Sequence, residues 1–276
     1  MTEPRTQSFS GEGGTEIHWK HWPGPRRPAG TVVIAHGGGE HSGRYQHVAD
    51  RLNEEDFAVF ALDHRGHGES EGKPGLIEDL GELVSDLGTM ISIAREEQPK
   101  KELFLLGHSM GGCVALDYTL DREDTLDGLV LSAPLARLGT ANPIEMLAAR
   151  VLSVVRPSFG VFKVDSATVS SNPEVVRAYD EDPLVLHDKM AAKTITEIAG
   201  AIKSFPKRLP DLRLPLLVMV GTADQLVPPS AARMVHDRAG SVEKQLIEYD
   251  GLFHEILNEP EQEQVMDDLV GWLKSH

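Results

Sequence analysis

The chain has 276 residues, 40% apolar and 25% charged, enough for a sizeable core and far from the composition of a disordered segment. Its 43 acidic residues outnumber 27 basic ones, and a formal charge of −16 repels nucleic-acid phosphates, so no nucleic-acid partner is expected. Cys113 is the single cysteine, which excludes an internal disulfide, and no run approaches the roughly eighteen apolar residues of a membrane span; a cytoplasmic protein is expected.

In chain order, FSGEGGTEIHWKHWPG (9–24) alternates on either side of a glycine turn and predicts an antiparallel hairpin at a sheet edge. Residues 31–36 (TVVIAH) then read as a strand, apolar on both faces, that runs into HGGGEHSGRY (36–45). This glycine stretch lacks the G-x-G-x-x-G of a dinucleotide loop and the Gly-Lys-Ser/Thr of a phosphate loop. Directly after a strand, it suits a loop that offers backbone N–H groups to a developing oxyanion. Residues 57–62 (FAVFAL) form the next strand, and Ile77 to Gln98 has helical spacing.

The strand at 103–107 (LFLLG) leads into Gly107-His108-Ser109-Met110-Gly111 and then a helical stretch, a G-x-S-x-G pattern between strand and helix. Its glycines let a strained turn pack tightly and lift the Ser109 hydroxyl above the sheet. After a strand at 128–132 (GLVLS), residues 135–205 contain helical patterns and no convincing core strand, which predicts an inserted helical lid on a core made of 1–134 and 206–276. Within it, IEMLAARVLSVV (144–155) confines Glu145, Arg150 and Ser153 to one arc of a helix. Ile144, Leu147, Val151, Leu152, Val154 and Val155 spread over the rest. A helix packed on the core fits this pattern, and so does a face that lines an acyl pocket or meets a lipid surface.

Residues 214–220 (LPLLVMV) and 245–249 (QLIEY) are the last two strands, separated by a helical segment from Pro229 to Ala239. A final helix is expected from Pro260 to Trp272, continuing the four-residue spacing of Val265, Leu269 and Leu273. Strands apolar on both faces, alternating with helices, imply an α/β fold with a mostly parallel sheet covered on both sides.

A serine hydroxyl is a weak nucleophile at neutral pH and needs a base, which in turn needs a group to fix its tautomer. Asp224 follows the strand at 214–220 and His254 the strand at 245–249, so Ser109, Asp224 and His254 are the candidate nucleophile, orienting acid and base. His36, His64, His67 and His108 sit beside glycines in turns and are expected to make structural hydrogen bonds, while Asp250 lies too near His254 to face it easily. The N–H of Met110 is one expected oxyanion donor, and the glycine loop supplies the other. No H-E-x-x-H and no cysteine pair is present, so neither metal nor cofactor is expected.

The segments HGGGEHSGRY, ALDHRGHGES (61–70), GHSMGG (107–112), LSAP (131–134), YDEDPL (179–184), GTADQLV (221–227) and YDGLFHEILNEP (249–260) together resemble one family over nearly the whole chain. It is the monoacylglycerol lipase family, serine aminopeptidase-like or lysophospholipase-like, of the α/β-hydrolase superfamily. The resemblance implies an eight-stranded, mostly parallel sheet flanked by helices. It also implies hydrolysis of a monoacylglycerol to fatty acid and glycerol through an acyl-enzyme, without a cofactor; with the apolar face of 144–155, transient contact between the lid and a membrane surface is expected.

In the family pattern H-G-x-G-E the oxyanion donor is the x residue, here Gly38, where many relatives carry a side chain; a glycine there is expected to loosen the loop. Glu40 and Arg44 are implied to lie near the glycerol end, the alternative being an ordinary ion pair at the start of a helix. Asp63 and Arg65 are implied to hold neighbouring loops. Animal relatives carry a second histidine three residues after the catalytic one; here Leu257 stands there. The string HGGG also resembles a different lipase family, but GEHSGRY and the intervening lid argue against it. A lysophospholipase or short-chain carboxylesterase would share every one of these residues, whereas a silent binding protein would have no need of the full set.

Overall fold

The structure, a computed structural model, describes residues 3–139 and 143–276, leaving out the side chains of 143–146. Along the chain run β1 (Arg5–Ser10), β2 (Glu16–Trp22), β3 (Gly30–Ala35), α1 (Gln46–Glu54), β4 (Phe57–Leu62), α2 (Leu80–Glu97), β5 (Glu102–His108), α3 (Ser109–Arg122) and β6 (Gly128–Ser132). They are followed by α4 (Pro143–Val155), β7 (Gly160–Phe162), α5 (Pro173–Glu181), β8 (Met190–Ala191), α6 (Ala192–Arg208), β9 (Leu216–Gly221), α7 (Ser230–Arg238), β10 (Lys244–Tyr249) and α8 (Gln262–Ser275).

Eight strands form one sheet in the order β1-β2-β4-β3-β5-β6-β9-β10, with β1 and β2 antiparallel at one edge and β4 through β10 parallel. The expected hairpin is present, its first strand beginning earlier, at Arg5, and all six expected core strands lie within two residues of their predicted ends. The physical reason is double-sided burial. In β3, Val33 and Ala35 face one apolar core while Val32 and Ile34 face another, and in β5 Leu103 and Leu105 alternate with Phe104 and Leu106 in the same way. Helices α2, α3, α6 and α7 cover the first face, and α1 and α8 the second. Each large side chain buried this way contributes about 1.5–3 kcal/mol, which is what selects near-continuous apolar strands.

Between β6 and β9 the chain leaves the large sheet; β7 and β8 pair only with each other. Helix α6 runs on to Arg208 and adds Ile198 and Phe205 to the main core, so the last helix of this excursion is rooted in the body of the protein. Helix α4 exposes its apolar side chains: Val154 and Val155 are 81% and 70% exposed, and Leu147 and Val151 are also open. Ala149 is buried. The side chains of Ile144 and Glu145 lie outside the described residues.

Register sets the site. Ala35 at the end of β3 pairs with Gly107 near the end of β5, so the loop from His36 and the turn at Ser109 leave the sheet side by side. The parallel strands β9 and β10 end in step, Gly221 opposite Tyr249, and deliver Asp224 and His254 to the same rim.

Candidate active site

Ser109 begins α3 with φ +52, a left-handed backbone on a residue that has a side chain. The flanking glycines make that turn possible. A Cβ on Gly111 would lie 2.1 Å from the Ala35 carbonyl oxygen and 2.3 Å from that of His36, and one on Gly107 would lie 2.7 Å from Ala115 Cβ. The sheet and helix can close on the turn only where side chains are missing.

The three residues expected to act together are hydrogen-bonded in a row. Ser109 Oγ lies 2.8 Å from His254 Nε2, and His254 Nδ1 lies 2.7 Å from Asp224 Oδ2. A carboxylate only accepts, so Nδ1 carries the ring proton and Nε2 is left to accept from the serine hydroxyl. Asp224 is itself fixed, because its Oδ1 accepts from the N–H groups of Leu226 and Val227 at 2.8 and 2.9 Å. Asp250 stands apart, exposed and bonded to Thr222. Such a row can draw a proton from the hydroxyl and hold the resulting imidazolium.

Gly38 sits against the start of α3: a Cβ on it would lie 3.5 Å from Met110 Cβ. Met110 is the second residue of α3, so its N–H has no acceptor within the helix. The loop around Gly38 is pinned on both sides. Gly37 N–H donates to Glu40 Oε1 at 2.6 Å, and the Gly39 carbonyl accepts from Leu186 N–H at 2.8 Å. His41 adds a third tie, its Nε2 to Asp182 at 2.9 Å. These bonds from its neighbours oppose the loosening expected of a glycine at 38, and Met190 packs over it, its Cε 2.5 Å from where a Cβ would be.

Glu40 is buried and Arg44 nearly so, and they are paired, Arg44 Nη1 to Glu40 Oε2 at 2.8 Å. The third member of the cluster was not expected. Glu255, the residue after His254, grips the same guanidinium through two bonds of 2.6 and 2.7 Å. Burial by itself would raise the Glu40 carboxyl, but Arg44, with His108 and His36, holds it down to about 2. Burial likewise works against the Arg44 charge, and Glu255 and then Glu40 more than restore it.

The histidines expected to be structural are buried and, His64 excepted, hydrogen-bonded. His36 Nδ1 meets the Gly37 carbonyl and its Nε2 accepts from His64 N–H, His67 Nδ1 meets the Arg65 carbonyl, and His108 Nδ1 meets Ser132 Oγ. The His64 ring nitrogens have no partner among the described residues; its ring packs on His36 at 4.6 Å instead. Burial, then the neighbouring His254, lowers His108 to about 4, so this ring, packed at a 50° tilt 4.8 Å from His254, adds no positive charge beside it. Asp63 accepts from the N–H groups of Ser42 and Glu69, and Arg65 pairs with Asp86 and Glu82, both loop-holding roles as expected. Cys113 is wholly buried, and burial raises its thiol pKa.

A cavity of about 420 Å³ opens beside Ser109 and His254. Leu138, Ala149, Phe162, Val164 and Ile198 are among its many apolar walls; Glu40, Glu255 and Tyr179 are among the polar ones. Arg44 is not part of the lining. Ala149 brings one side of α4 to this cavity while the opposite side faces out.

The chain is similar to known proteins over nearly its whole length. The profile of the serine aminopeptidase S33 family matches residues 26–261. A monoacylglycerol lipase of Mycolicibacterium smegmatis is 41% identical over 98% of this chain and 96% of its own, and a monoglyceride lipase of Rattus norvegicus is 32% identical over 94% and 87%. The crystal structure of a Paleococcus ferrophilus monoacylglycerol lipase superposes with a TM-score of 0.86 at 32% identity, covering 95% of this chain and 99% of that one. The chain belongs to the monoacylglycerol lipase branch of the serine aminopeptidase S33 family, within the α/β-hydrolases.

Proposed function

We propose that this chain hydrolyses monoacylglycerols to free fatty acid and glycerol, with Ser109 as nucleophile, His254 as base and Asp224 as its orienting acid. One observation carries the reading: the Ser109–His254–Asp224 row opens into a largely apolar cavity with two carboxylates in its wall. An acyl chain suits the apolar walls and a small polyol suits the carboxylates. The substrates of the M. smegmatis and P. ferrophilus relatives, as their names state them, support the same choice.

In this mechanism Ser109 Oγ attacks the ester carbon as His254 Nε2 takes its proton, and the N–H groups of Gly38 and Met110 stabilise the oxyanion by roughly 3 kcal/mol. His254 returns the proton to the glycerol oxygen as the C–O bond breaks. Water, deprotonated by His254, then attacks the acyl-enzyme, and Ser109 Oγ recovers the proton as fatty acid leaves.

Residues 135–205 serve as the lid in this account, rooted by α6 and closing the acyl side through α4. The open apolar side of α4 gives the lid a face for a lipid surface. No helix among the described residues is long and apolar enough to cross a membrane, and we place the enzyme in the cytoplasm, peripheral to the membrane that holds its substrate. A rate panel of monoacylglycerols, diacylglycerols, lysophospholipids and short esters tests the substrate. Monoacylglycerols should be fastest; lysophospholipids outrunning them would overturn the assignment.

A further inference from the structure

The ion cluster beside His254 holds acceptors that the protein does not use. Arg44 Nη1 gives one hydrogen to Glu40 Oε2 and the other to Glu255 Oε1, at 2.8 and 2.6 Å, and Nη2 donates to Glu255 Oε2. The remaining oxygens are full: Glu40 Oε1 accepts from Gly37 N–H and Tyr45 O–H, and Glu255 Oε2 from Arg44 and Asn258 Nδ2. A carboxylate oxygen accepts about two hydrogen bonds. One acceptor position therefore remains on Glu40 Oε2 and one on Glu255 Oε1, the two oxygens that share a single nitrogen. Both side chains line the cavity, whereas Arg44 is turned against the Tyr179 ring at 4.8 Å.

We propose that Glu255 selects the leaving alcohol: its Oε1, with Glu40 Oε2 beside it, accepts the free hydroxyls of a polyol ester. Glu255 is the specificity residue of the alcohol end, and Arg44 holds it in place without touching substrate. The inference rests on the monoacylglycerol reading above.

Three features of the cluster support it. Two neighbouring acceptor oxygens in the cavity wall can each take a hydroxyl hydrogen, and a vicinal diol provides such donors as a pair. Two carboxylates around one guanidinium leave a net negative charge that repels a phosphate-bearing headgroup. Glu255 is also held at a fixed offset from the base, as the next residue in the chain and through its N–H to the Val169 carbonyl at 2.8 Å. A site built to bond a hydroxyl discriminates strongly against an alcohol lacking it, because its own polar group is then left unpaired.

The test compares the 1-glyceryl and propyl esters of octanoic acid, which differ only in two hydroxyls, in the wild type, Glu255→Gln and Glu255→Asp. Labelling of Ser109 by a fluorophosphonate confirms that each variant is folded. The ratio of kcat/KM for glyceryl over propyl ester should fall about tenfold in Glu255→Gln, and inhibition of propyl ester hydrolysis by free glycerol should weaken with it. Should both esters lose rate in proportion, or neither lose any, Glu255 merely braces the loops and the proposal fails. If Glu255→Gln cannot be labelled, the same ratio and glycerol inhibition in Glu255→Asp decide the matter. Lysophospholipids outrunning the glyceryl ester, with the ratio still collapsing in the variant, would remove the substrate assignment and leave the Glu255 contact standing. A wild type that shows no preference for the glyceryl ester would remove both.

Discussion

Glu40 reaches back to Gly37, accepting its backbone N–H at 2.6 Å, and so fixes the glycine loop from inside before any substrate arrives. Leu186 N–H holds the other flank through the Gly39 carbonyl. The loop that looks most flexible in the sequence is thereby held in register with the turn at Ser109.

Glu40→Gln removes a charged acceptor from the Gly37 N–H, Tyr45 and Arg44 at once. The rate on every ester should fall by about tenfold to a hundredfold, since a misplaced oxyanion donor acts on the transition state whatever the alcohol. Steady-state kinetics on esters with and without free hydroxyls check this. Polyol esters should lose at least as much as simple ones, and an unchanged rate on simple esters would mean that Glu40 serves the alcohol alone and not the loop.

Two glycines should answer alanine differently. At Gly111 the new methyl group would meet backbone oxygens at 2.1 and 2.3 Å, which cannot move away, so Gly111→Ala should cost upwards of about 3 kcal/mol or prevent folding. At Gly38 the nearest atom is the free end of Met190, and Gly38→Ala should cost under about 1 kcal/mol, Met190 swinging aside. Urea unfolding of the two variants decides it; equal losses would contradict the packing described.

Acid should destabilise the fold through its buried histidines. Burial lowers His36 and His64, and brings His67 and His108 to about 4, so the native state leaves these rings neutral while the unfolded chain protonates them near 6.5. Their contribution is complete above about pH 6.5 and declines as pH falls toward about 4, by roughly 1.4 kcal/mol per pH unit for each fully titrating ring. Glu40, held at about 2, acts in a lower window, stabilising above the usual carboxylate pKa and losing that effect as pH falls toward 2. Chemical denaturation across pH 4–7 measures the slope. A flat profile would mean that these rings are charged in the native state; His67→Gln should reduce the slope by about one proton.

The outward side of α4 should report on lipid surfaces. Replacing Val151 and Val154 together by serine should lower the rate on monoacylglycerol in vesicles several-fold more than the rate on a dissolved short-chain ester. Equal effects on both would assign α4 to the fold alone.

The sheet was legible because its strands are buried on both faces, and an apolar run such as FAVFAL allows little else. The serine, aspartate and histidine were legible because each follows a strand at a point where the fold needs a sharp turn. Helix α1, QHVADRLNE, escaped notice because it is short and only Val48, Ala49 and Leu52 of its nine residues are buried, the other six being polar or charged. Glu255 escaped for another reason. Its meaning lies in two bonds to a residue 211 positions away, and no local pattern distinguishes it from other acidic residues of the chain. Arg44 was expected near the glycerol end, whereas its donors are turned to carboxylates and only those carboxylates reach the cavity.

The most direct test is glycerol release from a 1-monoacylglycerol by the wild type and by Ser109→Ala at neutral pH. The wild type should release glycerol and fatty acid in equal amounts, and the variant should be slower by on the order of 10⁴-fold or more. Glycerol release that persists in Ser109→Ala, or a wild type inert toward monoacylglycerols, would contradict the account.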